Sequence, residues 1–222
     1  MSDLLTYPAV QEFLATLVPQ REAEMLAMEK YAQETRFPII GPAAGYYCYQ
    51  VARMIGAKSV LEMGSGYGYS TAWFARAVKE TSAGQVQGDG GGVVHHIVWD
   101  AKLSEMAAGH LSRLGYGDLV RYHVAEAVET LRQIPGPFDL IFNDIEKQDY
   151  PASLPLIKEK LRVGGVLIID NILWSGRIFD KTDSSPATQG VRAFTKAITG
   201  DPDWIVSLAP VRDGMIVAYK KQ

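Results

Sequence analysis

Four polar side chains follow two apolar segments and could together perform metal-assisted chemistry. "FDLIFND" ends at Asp144, with Lys147 three residues later, and "GGVLIID" ends at Asp170, with Asn171 next. Two carboxylates and an amide oxygen form an all-oxygen set that suits Mg²⁺ and leaves positions open for a substrate. A lysine beside such a set could act as a base. The alternative is that Asp170 and Asn171 merely begin a turn, which both residue types favour.

A second candidate site is the glycine turn in "VLEMGSGYGYS", between a predicted strand and a predicted helix. Glycines let a ligand approach the backbone closely, and a helix N-terminus offers unpaired N–H groups to an anionic group. The dinucleotide fingerprint needs its third glycine one position later, where this chain has Tyr69. The spacing of Glu62, Gly64, Gly66 and Gly68 instead resembles that of S-adenosylmethionine-binding methyltransferases. A turn without a ligand is the alternative.

A parallel sheet would bring both candidate sites to one edge. Short apolar segments joined by helical ones predict such a sheet, with helices on both faces. The predicted strands are 58–63, 93–99, 119–124, 138–144 and 164–170. Helices are predicted at 9–18, 21–35, 45–57 and near 188–199, and the chain ends in an antiparallel hairpin of 204–210 and 214–220. Because ligands bind beyond the carboxyl ends of parallel strands, we expect the two sites to share one cleft.

Composition limits the class of protein. The 222 residues are 47% hydrophobic and 21% charged, as in ordinary globular proteins, and the net charge of −3 gives little attraction to nucleic acid. The single cysteine, Cys48, cannot form an internal disulfide, which favours a reducing compartment. We see neither a signal peptide nor a membrane span, and the glycine-rich stretch 82–92 is predicted to be a surface loop. We therefore expect a cytoplasmic protein.

With these motifs, the chain resembles the cation-dependent O-methyltransferase family, which includes catechol and plant caffeoyl-CoA O-methyltransferases and bacterial relatives. The likeness covers nearly the full length through "IIGPAAG", "VLEMGSGYGYS", "GPFDLIFNDIEKQDYP", "LRVGGVLIIDNILWSGRI" and "VSLAPVRDGMIVAYKK". It implies a Rossmann-like α/β fold with a seven-stranded, mostly parallel sheet in the order 3-2-1-4-5-7-6 and strand 7 antiparallel. We expect one methyltransferase domain over 1–222, with an N-terminal helical cap (1–57) and a sheet core (58–222).

The resemblance also implies roles for the residues at the strand ends. Asp144, Asp170 and Asn171 would be ligands of Mg²⁺ or another divalent cation. Lys147 would be the catalytic base, and Asp144 would also belong to the catalytic pair and contact the cofactor. Trp174 would form a wall of the acceptor pocket, with core packing of its loop as the alternative.

The cofactor implied by the resemblance is S-adenosylmethionine, and several segments would bind it. The family ends its second strand with a glutamate that binds the ribose, but this chain has Val98 there, and Asp100 is the expected replacement. The family commonly reads "F-[IV]-D-A-D-K" where this chain has "FNDIEK", so Ile145 and Glu146 change the wall beside the adenine. The predicted cofactor-binding residues are Ile40, Gly41, Glu62, Gly64, Ser65, Gly66, Tyr69, Ser70, Asp100, Glu126, Ala127 and Asp144.

The reaction implied is methylation of a hydroxyl in a vicinal diol of an aromatic small molecule, carried out by a homodimer. A hydroxyuridine in transfer RNA is an alternative acceptor, which the acidic charge balance disfavours. An NAD-dependent oxidoreductase is disfavoured by the glycine spacing and by the lack of an acid at the end of strand two. A protein that only binds the cofactor would not need Asp144, Lys147, Asp170 and Asn171.

Overall fold

The computed structural model describes residues 8–83 and 91–222. Its centre is a seven-stranded sheet in the order β3-β2-β1-β4-β5-β7-β6. Strands β1 to β5 pair in parallel, whereas β7 is antiparallel to both β5 and β6. The predicted fold class and strand order are thereby confirmed. The strands are β1 Ser59–Met63, β2 Val93–Val98, β3 Val120–Val124, β4 Phe138–Asn143, β5 Leu161–Ile169, β6 Trp204–Ala209 and β7 Met215–Lys220.

Helices cover both faces of this sheet. They are α1 Pro8–Thr16, α2 Ala23–Thr35, α3 Gly41–Met54, α4 Tyr69–Ser82, α5 Ala101–Arg113, α6 Ala127–Gln133, α7 Tyr150–Lys160 and α8 Pro186–Gly200. Short 3₁₀ segments occupy Gly117–Leu119, Lys147–Asp149 and Trp174–Phe179. Within residues 8–83 and 91–222, no helix has both the length and the apolar character needed to cross a membrane.

The central strands are apolar because both of their faces are buried. Successive side chains of a strand point to opposite faces. Val60 of β1 accordingly joins a cluster that includes Met28 of α2 and Phe74 of α4. The next residue, Leu61, joins a second cluster that includes Phe194 of α8. The near-continuous apolar runs that predicted strands therefore supply one hydrophobic core on each side of the sheet.

Most element boundaries differ from the sequence prediction by one or two residues, and two elements begin three or more residues earlier than predicted. Helix α3 begins at Gly41 instead of residue 45, because Pro42 occupies the first helical turn, where a proline has no N–H bond to lose. Strand β5 begins at Leu161 instead of residue 164, since Leu161 pairs with Phe138 of β4. Of the predicted loop 82–92, residues 84–90 lie outside the described part of the chain.

Candidate active site

A cavity of about 920 Å³ opens beyond the carboxyl ends of β1, β2, β4 and β5. Its volume lies within the range of about 300–1,000 Å³ that is typical of small-molecule sites. Most of the predicted site residues line it: Ile40, Gly64, Ser65, Gly66, Tyr69, Ser70, Glu126, Ala127, Asp144, Lys147, Asn171 and Trp174. The predicted residues that are not among its described lining are Gly41, Glu62, Asp100 and Asp170.

The glycine turn after β1 is locked against the end of β4. Gly64 has φ +85°, and a Cβ atom there would collide with the backbone oxygen of Asp144. The Asp144 N–H donates to the backbone oxygen of Met63 at 2.9 Å. Only glycine tolerates this conformation and this close approach together. The candidate cofactor turn and the candidate cation ligand are thus held in contact through backbone atoms.

Glu62 lies beneath this turn instead of on the cavity wall. Its carboxyl group is fully buried and accepts a hydrogen bond from Thr71 Oγ1, which is 3.0 Å from His96 Nδ1. Burial raises the pKa of Glu62 to about 7, and a hydrogen bond from Ser70 opposes that rise. Glu62 therefore supports the start of α4 from below.

Lys147 and Asp144 form an ion pair in one corner of the cavity. Lys147 Nζ lies 2.6 Å from Asp144 Oδ1 and also donates to the backbone oxygen of Ile145 at 3.1 Å. The lysine side chain is 9% exposed, and Nζ lies 5.2 Å from the ring centroid of Tyr150 and 5.8 Å from that of Trp174. The ammonium group is consequently held in place by a carboxylate, a carbonyl and two aromatic faces.

Asp170 is the fully buried carboxyl group of this corner. Its Oδ1 accepts from the N–H of Asn171 at 2.8 Å, and its Oδ2 accepts from Arg212 Nη1 at 3.3 Å. Burial raises the pKa of Asp170 to about 7, the charge of Asp144 adds to the rise, and Arg212 opposes it. The two predicted cation ligands are therefore close enough to influence each other electrostatically.

The chemistry of this corner fits a divalent cation. Among residues 8–83 and 91–222, no three His, Cys, Asp or Glu side chains gather into a metal site, and the candidate set here is Asp144 and Asp170 together with the amide of Asn171. Two carboxylates and an amide form a hard oxygen set of the kind that Mg²⁺ prefers. A divalent cation would also compensate the mutual repulsion of Asp144 and buried Asp170.

Trp174 borders both the cavity and the protein core. The residue lines the cavity and also packs against the hydrophobic cluster around α7 and α8. Its backbone has φ +48° and Ser175 has φ +50°, so the chain turns sharply here. The guanidinium of Arg177 lies 5.6 Å from the ring centroid on the same loop.

Asp100, the expected ribose-binding residue, also has a structural role that was not predicted from the sequence. Its Oδ1 accepts from the N–H groups of Lys102 at 2.8 Å and Leu103 at 3.1 Å, so Asp100 is the N-cap of α5. Val98 and Trp99 line the cavity at the end of β2, and Trp99 is 79% exposed. A capping signal was present in the sequence, since an aspartate directly precedes a helical pattern.

Two further lining residues, Arg212 and Asp213, were missed by the sequence analysis. They lie in the turn between β6 and β7, about forty residues after Asp170 in the chain. Arg212 bonds to Asp170, and Asp213 bonds to Asn171 and to the N–H of Ser175. No local pattern marks them, because only the pairing of β7 with β5 brings this turn to the cavity.

Comparison with known proteins gives a consistent family. A family model for O-methyltransferases matches residues 21–221. The catechol O-methyltransferase of Niastella koreensis is 27% identical over 97% of this chain and 98% of that protein. The catechol O-methyltransferase of Mycobacterium tuberculosis is 32% identical over 84% of this chain and 82% of that protein. The structure is similar to that of the O-methyltransferase TomG from Streptomyces achromogenes in complex with S-adenosylmethionine, with a TM-score of 0.84, 25% identity and 98% coverage of both chains.

Proposed function

Because the chain belongs to the O-methyltransferase family, we propose that it methylates a hydroxyl in a vicinal diol of an aromatic small molecule. The methyl donor would be S-adenosylmethionine, and the reaction would depend on a divalent cation. The observation that carries the proposal is the convergence in one cavity of the glycine turn, the Lys147–Asp144 pair and Asn171. Buried Asp170 lies directly beside Asn171 and accepts from its N–H. Similarity to relatives that are catechol O-methyltransferases supports the acceptor class.

The cofactor side of the cavity is formed by the glycine turn and the start of α4. Gly64, Gly66 and Ser70 line it, and a helix N-terminus attracts an anionic group such as the carboxylate of the cofactor. Ile40, the residue that precedes α3, forms an apolar part of the wall. The lining from Ala125 to Ala127 and the exposed indole of Trp99 would face the nucleoside part.

The acceptor side is formed by Lys147, Asn171 and Trp174. When bound, the cofactor supplies an electrophilic methyl group, and a cation at Asp144, Asp170 and Asn171 supplies charge that favours deprotonation of the acceptor hydroxyl. As the neutral amine, Lys147 would take up the proton that this hydroxyl loses. The hydroxyl oxygen would bond to the methyl carbon while the carbon–sulfur bond of the donor breaks, which leaves S-adenosylhomocysteine. Trp174 would hold the aromatic ring against the cavity wall, and positioning of this kind is a large part of catalysis in a displacement.

Charge around the cavity favours a small acceptor over transfer RNA. The described lining carries five carboxylates, Glu126, Asp144, Glu146, Asp149 and Asp213, but only two cations, Lys147 and Arg212. A nucleic-acid site generally needs the opposite balance, because phosphate contacts dominate the affinity. The expected homodimer, the cytoplasmic location and the division into a cap (1–57) and a core (58–222) stay predictions of the sequence.

The proposal is tested by methyl transfer from labelled S-adenosylmethionine to catechol, phenol and bulk transfer RNA. We expect methylation of catechol alone, loss of activity with EDTA and recovery with excess Mg²⁺. Full activity in EDTA would overturn the cation dependence. Methylation of transfer RNA without methylation of catechol would instead favour the nucleic-acid alternative.

A further inference from the structure

The turn between β6 and β7 holds the two candidate cation ligands that follow β5. Two consecutive residues of the turn bond to two consecutive residues of the site. Arg212 Nη1 lies 3.3 Å from Asp170 Oδ2, and Asn171 Nδ2 lies 3.4 Å from Asp213 Oδ2. The Leu173 N–H also donates to the backbone oxygen of Asp213 at 2.8 Å. The turn is thus attached to the site by side chains and by backbone.

The carboxylate of Asp213 decides which way the amide of Asn171 faces. Its Oδ1 accepts from the N–H of Ser175 at 2.7 Å, and its Oδ2 receives the NH₂ group of Asn171. A carboxylate can only accept hydrogen bonds, so the side of the amide that faces it must be the NH₂ group. The amide oxygen of Asn171 is therefore turned away from Asp213. Asn171 itself lines the cavity.

We propose that Asp213 is a positioning residue, which presents the amide oxygen of Asn171 instead of its nitrogen to a divalent cation. The inference rests on the proposed function, because it concerns the same cation site. An amide NH₂ group is a hydrogen-bond donor and cannot serve as a ligand, so a reversed Asn171 would remove one of three protein ligands. Substitution of a residue that orients a metal ligand in this way typically lowers metal affinity by about 10–100-fold.

The substitution D213N tests this role with almost no change of shape. The oxygen of the new amide can still accept from the N–H of Ser175, but its NH₂ group then faces the NH₂ group of Asn171. To avoid this repulsion, Asn171 should reverse its amide. We expect the affinity for Mn²⁺ to fall by about tenfold or more, while the affinity for S-adenosylhomocysteine stays near that of the wild type.

The exchanged pair N171D/D213N provides the rescue. The carboxylate at position 171 then accepts from the amide at position 213 and keeps an oxygen free for the cation, so Mn²⁺ affinity should recover. The matched control is D149N, which removes the same charge from an exposed position of the same cavity lining. D149N should bind Mn²⁺ nearly as well as the wild type does.

The readout is titration of each protein with Mn²⁺, with free Mn²⁺ followed by electron paramagnetic resonance. Wild-type affinity in D213N, no recovery in the exchanged pair, or an equal loss in D149N would overturn the role of Asp213 while the wild type still binds Mn²⁺. Absence of Mn²⁺ binding by the wild type would overturn the proposed cation dependence together with this inference.

Discussion

Lys147 Nζ lies 2.6 Å from Asp144 Oδ1, so the candidate base and a candidate cation ligand form one ion pair beyond the end of β4. Only two residues lie between them in the chain, and the 3₁₀ segment Lys147–Asp149 brings the lysine back towards the strand end. Tyr150 and Trp174 enclose the ammonium group from other elements. This pair is therefore the first target for substitution.

Lys147→Met should lower kcat for methyl transfer by about 10²–10⁴-fold, because general-base catalysis contributes that much. The substitution keeps a long side chain and removes the proton acceptor, so the dissociation constant for S-adenosylmethionine should change little. Single-turnover kinetics and calorimetric titration measure the two quantities. The matched control is Lys181→Met, at an exposed lysine. Wild-type kcat in Lys147→Met would contradict the assignment.

Mg²⁺ should raise the thermal unfolding midpoint, because a ligand that binds only the folded protein stabilises it. At one hundred times the dissociation constant the gain is about 2.7 kcal/mol, or roughly 5–10 °C for a protein of this size. Asp170→Asn should lose most of this shift, since it removes one of the two carboxylates. Asp118→Asn, at an exposed aspartate, should keep it. Equal shifts in both variants would place the cation elsewhere.

Gly64→Ala should destabilise the protein and weaken cofactor binding together. Its positive φ costs about 1–2 kcal/mol for an alanine, and the collision with the backbone oxygen of Asp144 should add about 1–3 kcal/mol. Gly56→Ala is the matched control: Gly56 has φ +60°, and no described atom lies within 4 Å of the added Cβ. Unfolding in urea should show the difference, and equal losses in both variants would count against the locked turn.

Trp99→Ala and Asp100→Ala should have opposite consequences although the residues are adjacent. Trp99 lines the cavity, so its loss should weaken S-adenosylmethionine binding by about tenfold with little change in stability. Asp100 caps α5, so its loss should cost about 1 kcal/mol of stability with little change in affinity. A selective loss of binding in Asp100→Ala would instead support the ribose role expected from the sequence.

Acid should destabilise the fold through a histidine pair between β2 and β3. His95 Nδ1 lies 3.0 Å from His123 Nε2, and the two rings are stacked. Burial lowers the pKa of His95 from 6.5 to about 4, with a further contribution from the charge of His123. The unfolded chain therefore binds more protons in this window, and stability is lost as the pH falls from about 6.5 to about 4.

The variant His95→Phe isolates this effect. The buried carboxyl groups of Glu62 and Asp170 titrate in the opposite sense, since a raised pKa makes the folded state bind protons and lowers stability as the pH rises. Against that background, the variant should differ from the wild type by about one proton in the pH dependence of its unfolding free energy. Urea unfolding at pH values from about 4 to about 7, in steps of about one unit, gives the unfolding free energy of both proteins. Parallel pH profiles of the two proteins would contradict the prediction.

The hydrophobic pattern of the sequence predicted the helices and strands well, but it predicted their first and last residues less accurately. The apolar runs of β1, β4 and β5 identified central strands, because a strand buried on both faces needs apolar side chains throughout. The start of α3 at Gly41 was missed, since Pro42 looks like a helix breaker although it is tolerated in the first turn. The start of β5 at Leu161 was also missed, because the predicted strand began at residue 164.

By itself, the sequence determined which chemical groups follow the strands. Asp144, Lys147, Asp170 and Asn171 were recognisable because residue type and strand end are both local properties. Tertiary structure decided what surrounds them, including the support from Arg212 and Asp213. The physical reason is that β7 must pair with β5 before a turn about forty residues away can reach the site, and short-range pattern does not encode such a contact.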